Sequence, residues 1–270
     1  MTRKQKRIFI SLIYFTFFAL FVSLLVVIFA TEETCFDGIQ NQKEEAIDCG
    51  GPCVSCPEEI KGKDLVVKDS YVVYGGENKY DIVSSVNNPN ALYGGEVVEY
   101  SVALLDSKGD VLQKRKGETF ILPNETKYII EVGLESEEKP SSAKVMINDV
   151  EWVKFTEFDS PQILVRNQRA GLSDRTGVFA EAFGLVSNES PFDFHNIVIH
   201  VVLLDSQGKP IAVNKTTKET FNSGAKEDFT LIWPHKFPGE IKSAQMQVET
   251  NIFDSLNFMK KYLPGGKYQE

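Results

Sequence analysis

The sequence predicts an all-β protein carried on one N-terminal transmembrane helix, with a small disulfide-rich segment followed by two tandem immunoglobulin-like β-sandwiches. Three observations predict it. Ile8 to Ala30 is an uncharged run of 23 residues; four cysteines are confined to Cys35–Cys56; and one strand-and-turn signature occurs twice, 99 residues apart.

The uncharged run, IFISLIYFTFFALFVSLLVVIFA, would span about 34 Å as a helix at ~1.5 Å per residue. That is enough to cross a hydrocarbon core of ~30 Å. Its polar side chains, Ser11, Tyr14, Thr16 and Ser23, are ones a lipid-embedded helix tolerates. Arg3, Lys4, Lys6 and Arg7 precede it without an acid, whereas Glu32, Glu33, Asp37, Glu44, Glu45 and Asp48 follow it against the single cation Lys43. Positive charge is retained on the cytoplasmic side. Residues 1–7 are therefore expected to be a cytoplasmic tail, residues 8–30 an uncleaved signal anchor in the cell membrane, and residues 31–270 extracytoplasmic. A cleaved signal peptide would have an apolar region of ~7–15 residues ending in small side chains, and this one ends Val27-Ile28-Phe29-Ala30. The chain's net charge is −9, and without the four cations of the tail the exported part carries −13. So acidic a part is a poor candidate for binding nucleic acid or an anionic membrane surface, and no nucleic-acid partner is expected.

Residues 31–57 hold all four cysteines. Outside the cytoplasm, four clustered cysteines in a loop-rich stretch argue for two disulfides among Cys35, Cys49, Cys53 and Cys56, with three connectivities open. The spacing is not that of paired CxxC zinc knuckles, and no βαβ context makes Cys53-Val-Ser-Cys56 a redox dithiol.

The pattern C-x-D-G-I-x-N-x-x-E-x-x-x-D-C-G-G-x-C-x-x-C over these residues resembles a short cysteine module found just outside the anchor in prokaryotic surface proteins. The usual form has glycines flanking the acid, roughly Q-G-E-T-G-V-D, where this chain reads Gln42-Lys43-Glu44-Glu45-Ala46-Ile47-Asp48. Asp37-Gly38, Asn41 and Glu44 also resemble the core of thrombospondin type-3 calcium repeats. With Asp48 they form a candidate Ca²⁺ set, Asp37, Asn41, Glu44 and Asp48, since a hard cation takes oxygen ligands at short spacing around a glycine turn. The competing role for these side chains is to cap turns between the disulfides. No other cofactor is expected.

Beyond a polar linker the chain duplicates itself into residues 64–155 and 156–253. Glu99-Tyr-Ser-Val-Ala-Leu-Leu-Asp-Ser-Lys-Gly109 aligns with Val198-Ile-His-Val-Val-Leu-Leu-Asp-Ser-Gln-Gly208. Val98, Tyr100, Val102 and Leu104, like Ile197, Ile199, Val201 and Leu203, recur at every second position, which puts each set on one strand face toward a core. The Asp-Ser-x-Gly that follows is a hairpin turn in which Asp accepts from the turn backbone and Gly supplies positive φ. Strands at Tyr80–Asn87, Phe179–Asn188, Tyr128–Leu134, Asp228–Trp233, Ala143–Phe155 and Ala244–Phe253 complete a count of about seven per copy, the number of an immunoglobulin-like sandwich. Glu131 to Glu138 reads as an exposed acidic loop, and residues 254–270 as a flexible tail. Trp152 and Trp233 read as core or inter-domain packing. Val102–Asp106 with Gly109, and Val201–Asp205 with Gly208, resemble the FxLYD and late-embryogenesis-abundant-like β-sandwich families, with Leu105 or Leu204 where those families have Tyr. That resemblance implies a fold and an extracytoplasmic setting; the families bring no catalytic residues.

The chemistry expected is correspondingly plain. His195, His200 and His235 are scattered, and no HExxH, GxSxG, P-loop or GxGxxG occurs. The chain is therefore expected to be non-enzymatic. It would serve as an envelope scaffold or protein-docking module, or alternatively as an accessory subunit of a membrane secretion, pilus or transport assembly. Its expected partners are the membrane through residues 8–30 and an envelope protein, with Phe192 and Phe194 in the Pro191–Asn196 turn as the candidate contact. The same two aromatics could instead plug the end of the sandwich.

Overall fold

The computed structural model describes residues 3–29, 35–41, 43–56 and 61–262, which fall into two compact units, Met1–Glu59 and Ile60–Glu270. The first contains α1 (Arg3–Phe29). Its apolar side chains from Ile8 to Leu24 are exposed at consecutive positions, so the helix is apolar all round, the pattern of a membrane span or of a helix buried in a protein core. Thr16 Oγ1 donates back to Leu12 O at 2.7 Å, which satisfies its hydroxyl within the helix. By length and composition α1 can cross a membrane, a property that signal sequences share.

The described part of the second unit contains twelve strands. The first copy comprises β1 (Val66–Gly76), β2 (Lys79–Asn87), β3 (Tyr93–Leu105), β4 (Val111–Ile121), β5 (Thr126–Glu135) and β6 (Ser142–Lys154). The second comprises β7 (Ile163–Leu172), β8 (Ala180–Asn188), β9 (Phe194–Leu204), β10 (Pro210–Phe221), β11 (Lys226–Trp233) and β12 (Ser243–Glu249). The sheet orders are β1-β2-β5 and β4-β3-β6, then β11-β8-β7 and β10-β9-β12. Each strand of the first copy thus has its counterpart six places on, in the same position of the corresponding sheet. There are six strands per copy instead of seven, because the strands are long: β3 and β6 run 13 residues each.

The predicted faces hold. Val98, Tyr100, Val102 and Leu104 point into one inter-sheet core, and Ile197, Ile199, Val201 and Leu203 into the other, all of them buried. The hairpin turns hold too. Asp106 Oδ1 accepts from Lys108 N and Asp110 N at 2.8 Å each; Asp205 Oδ1 accepts from Gln207 N and Lys209 N at 2.8 and 2.9 Å. Gly109 and Gly208 sit at φ 89° and 75°. A further duplicated device is a buried asparagine. Asn88 Nδ2 donates to Tyr93 O and Leu122 O, and Asn188 Nδ2 to Phe192 O and Phe221 O. Each ties the loop that follows β2 or β8 to the turn that follows β4 or β10.

Two expectations are corrected here. Glu131 and Glu135 belong to β5 rather than to a loop, and Glu131 is ion-paired with Arg115 at 3.0 Å. The tail is not frayed throughout. A 3-10 turn (Ile252–Asp254) leads into α2 (Leu256–Tyr262), which buries Phe258, Met259 and Tyr262 against Phe120, Phe155 and Phe194. Its three buried side chains recur at i, i+1 and i+4, enough for one buried stripe on two turns. Residues 263–270 lie outside the described residues.

Candidate functional site

The cysteine module is stapled by Cys35–Cys53 and Cys49–Cys56. Cys35 and Cys53, though close to Glu44, are bonded to each other and offer no thiolate to a metal. Of the candidate Ca²⁺ residues, Asp48 Oδ1 accepts from Asp37 N at 2.9 Å and from Gly38 N at 3.0 Å. Asp37 accepts from Ile39 N and from Asn41 Nδ2, and Glu44 Oε2 from Asn41 N and Asp48 N. Asp37, Asn41 and Asp48 therefore meet at one corner. Their bonds are those of turn caps, and four side chains fall short of the ~6–8 oxygens that Ca²⁺ takes.

Phe192 and Phe194 are brought together, but not as a surface patch. Phe194 is only 2 % exposed, and the Phe192 ring packs edge-on to Phe258 at 4.9 Å. Both belong to the aromatic cluster closed by α2, so they plug the end of the sandwich. The contact reading assumed that nothing followed the last strand to cover them.

The polar concentration of the molecule lies elsewhere, at the seam between the two sandwiches. The outer face of β1-β2-β5 supplies Val73, Val83 and Ile130, and β9 and β10 supply Val202, Leu204 and Val213, to a shared apolar layer. Beside this layer Lys127 of β5 reaches Glu249 at the end of β12, Nζ to Oε2 at 2.7 Å. The same ammonium donates to Thr119 Oγ1 and Phe120 O, both at 2.9 Å, and stands 3.9 Å from the centre of the Phe120 ring. Glu249 Oε1 meets His200 Nε2 at 2.9 Å, and His200 Nδ1 is buried with no partner. Lys127, His200 and Glu249 are 2, 4 and 9 % exposed, so these charges are withdrawn from water. Burial alone would raise the Glu249 carboxyl; the Lys127 charge and the bond to His200 outweigh it and hold the group at about 2.

A second polar group stands on the first sandwich. Tyr100 OH donates to Glu131 Oε1 at 2.6 Å. Arg115 pairs with the other Glu131 oxygen and donates to Val132 O and Gly133 O. Burial, then the adjacent Glu131, push the Tyr100 hydroxyl well above its usual range. A cavity of about 470 Å³ lies here, lined among others by Tyr100, Tyr128, His200, Lys215, Thr216 and Glu249. Further bonds cross the seam: Gln247 accepts from Tyr128 N and donates to Thr126 O, and Lys215 Nζ donates to Ile130 O. Among the described residues His200 bonds to a carboxylate and not to a hydroxyl or thiol. Chemically the arrangement joins two domains.

Sequence reasoning left His200, on the alternate face of its strand, among scattered histidines and missed Lys127 and Glu249. The available signal was that Val202 and Leu204 share that alternate face with His200, so a polar group there is buried and needs a partner.

No family model matches the chain, and no curated protein matches it. Solved structures do. Red sea bream transglutaminase is similar at 9 % identity and a TM-score of 0.22 over 69 % of this chain, which spans 29 % of that one. The calcium-binding domain CBD12 of CALX1.1 is similar at 14 % identity and a TM-score of 0.19, over 71 % of this chain and 84 % of that one.

Proposed function

We propose that this chain is a non-enzymatic, membrane-anchored ectodomain whose fused sandwiches act as an envelope scaffold or docking module for another exported protein. The observation that carries this reading is the seam. Two sandwiches joined by an apolar layer and a buried Lys127–Glu249–His200 cluster form one compact unit, which suits holding a partner at a fixed geometry. The apolar helix ahead of a disulfide-stapled module supports the anchoring, and the resemblance to prokaryotic surface modules supports the setting. Crosslinking in native membranes, followed by mass spectrometry, tests it. One protein should be recovered reproducibly on residues 61–262, and protease added to spheroplasts should digest this part while sparing an N-terminal tag. Protection of residues 61–262 would overturn the topology; a catalytic turnover abolished by one point mutation would overturn the non-enzymatic role.

A further inference from the structure

A second cleft of about 250 Å³ opens between the sandwiches and shares no lining residue with the cavity at His200. Its walls include Tyr74 and Asp81 from the first sandwich and Trp233, His235 and Phe237 from the second. Two glycines in β1 make it possible. A Cβ on Gly75 would come within 3.0 Å of Asp81 Oδ1, and one on Gly76, at φ +96°, within 2.5 Å of His235 Cδ2. The pair thus leaves room for a carboxylate on one side and lets the second sandwich approach on the other. Asp81 is 8 % exposed, and its Oδ1 accepts from Gly133 N at 2.7 Å. Trp233 Nε1 donates to Val213 O at 3.0 Å, which commits the indole's one N–H and leaves its ring as an apolar wall.

The charges around Asp81 leave it weakly compensated. Arg115 on β4 acts on it from a distance, but its guanidinium is bonded to Glu131, Val132 O and Gly133 O. Lys79 lines the cleft from β2, and His235 faces it from the second sandwich; among the described residues neither forms an ion pair with Asp81. Burial accordingly raises the Asp81 carboxyl to about 6, a sign that a buried anion here lacks a close cation.

We propose that this cleft binds a small alkylammonium cation, with the charged head against Asp81 and the alkyl groups against Tyr74, Trp233 and Phe237. Aromatic walls attract an alkylammonium through their ring quadrupoles, and a few placed polar groups in an otherwise apolar cleft are the usual build of a small-molecule site. The ligand would touch both sandwiches, so its binding would tighten the seam. The inference does not depend on membrane anchoring or on a protein partner.

The test is calorimetric titration of the full chain in detergent with choline and, separately, with its neutral isostere 3,3-dimethylbutan-1-ol. Choline should bind saturably at pH 7.5, with the isostere at least about tenfold weaker, since only the charge differs. Asp81→Asn should weaken choline by a similar factor while the fold, followed by circular dichroism, is kept. Going to pH 5 protonates about nine-tenths of a carboxyl whose pKa is about 6 and should weaken choline about tenfold. This loss should vanish in Asp81→Asn; if it persists there, a group other than Asp81 carries it. Tyr74→Leu, at the exposed rim, should lower the affinity several-fold and provides the reading if Asp81→Asn fails to fold. Equal binding of choline and isostere, full choline affinity in Asp81→Asn, a pH loss that survives that substitution, or no saturable binding would each overturn the proposal.

Discussion

Lys127→Met tests whether the seam is held electrostatically. Methionine keeps most of the aliphatic stem but leaves Glu249 and His200 buried without the ammonium. In the wild-type protein the carboxyl is moved from 4.5 to about 2 despite the burial that opposes it. A drop of that size corresponds to about 3 kcal/mol of stability at neutral pH. Removing one partner of a buried pair typically costs ~3–5 kcal/mol, because the other charge is left uncompensated. The pH dependence adds a sign. A depressed carboxyl contributes stability in full above its unfolded pKa and loses it as pH falls through the folded one, so here the loss falls between 4.5 and about 2. In the variant burial is opposed by His200 alone and the carboxyl rises, so the variant should recover stability relative to wild type as pH falls from 7 to 5. Asp81, held at about 6, makes both proteins less stable as pH rises through 4 to 6; taking the difference between them removes it. Urea unfolding of residues 61–262 at the two pH values, followed by circular dichroism, measures these quantities. The double variant Lys127→Met/Glu249→Gln should regain at least half of the loss, since no buried charge is then stranded. A loss below ~1 kcal/mol, or a double variant no more stable than the single one, would refute the reasoning.

Three further outcomes are expected. Leu203→Ala, in the core of the second sandwich, and Leu204→Ala, in the seam, should each cost ~2–5 kcal/mol in the same unfolding assay, and only the second should increase proteolysis between the sandwiches. Asn88→Ala and Asn188→Ala each strand two buried carbonyls and should lower stability by ~1–3 kcal/mol for each unsatisfied group. The two disulfides should make the oxidised protein about 4 Da lighter than the reduced one by intact mass, two hydrogens for each bridge.

The duplicated sandwich was legible because its signals are local. Period two at Val98–Leu104 and Ile197–Leu203, and an Asp that bonds its own turn, are written within a dozen residues. What was not legible depends on pairs far apart in the chain. Lys127 and Glu249 are 122 positions apart and read singly as solvated charges, the usual fate of such residues in an acidic protein. Glu131 read as part of an acidic loop because its partners, Arg115 and Tyr100, lie on other strands. Phe192 and Phe194 read as loop aromatics because α2, which covers them, is a seven-residue helix too short to show in periodicity. Gly75-Gly76 carried a signal that went unused, since adjacent glycines inside a strand mark a close approach of another element.

The two copies also differ in the outer faces of β3-β4 and β9-β10. In register with β9, the outward positions of the second copy are Val202 opposite Val213, and Leu204 opposite Pro210, an apolar strip that meets Val73, Val83 and Ile130 of the first copy. The equivalent outward positions of the first copy are Ala103 opposite Lys114 and Leu105 opposite Val111, preceded on the same face by Ser101 opposite Lys116 and Glu99 opposite Glu118. Glu99 is exposed, and the edge strand β4 is largely exposed or half-buried. A contact made from one face of a repeat to a different face of the next is head-to-tail, and if every copy kept both faces apolar it would propagate from molecule to molecule. The lysines and glutamates of β3 and β4 oppose that, because burying them against another sheet would strand charge in a low dielectric. The apolar strip of the second copy thus lies where the first copy covers it, while the corresponding face of the first copy carries Glu99, Glu118, Lys114 and Lys116.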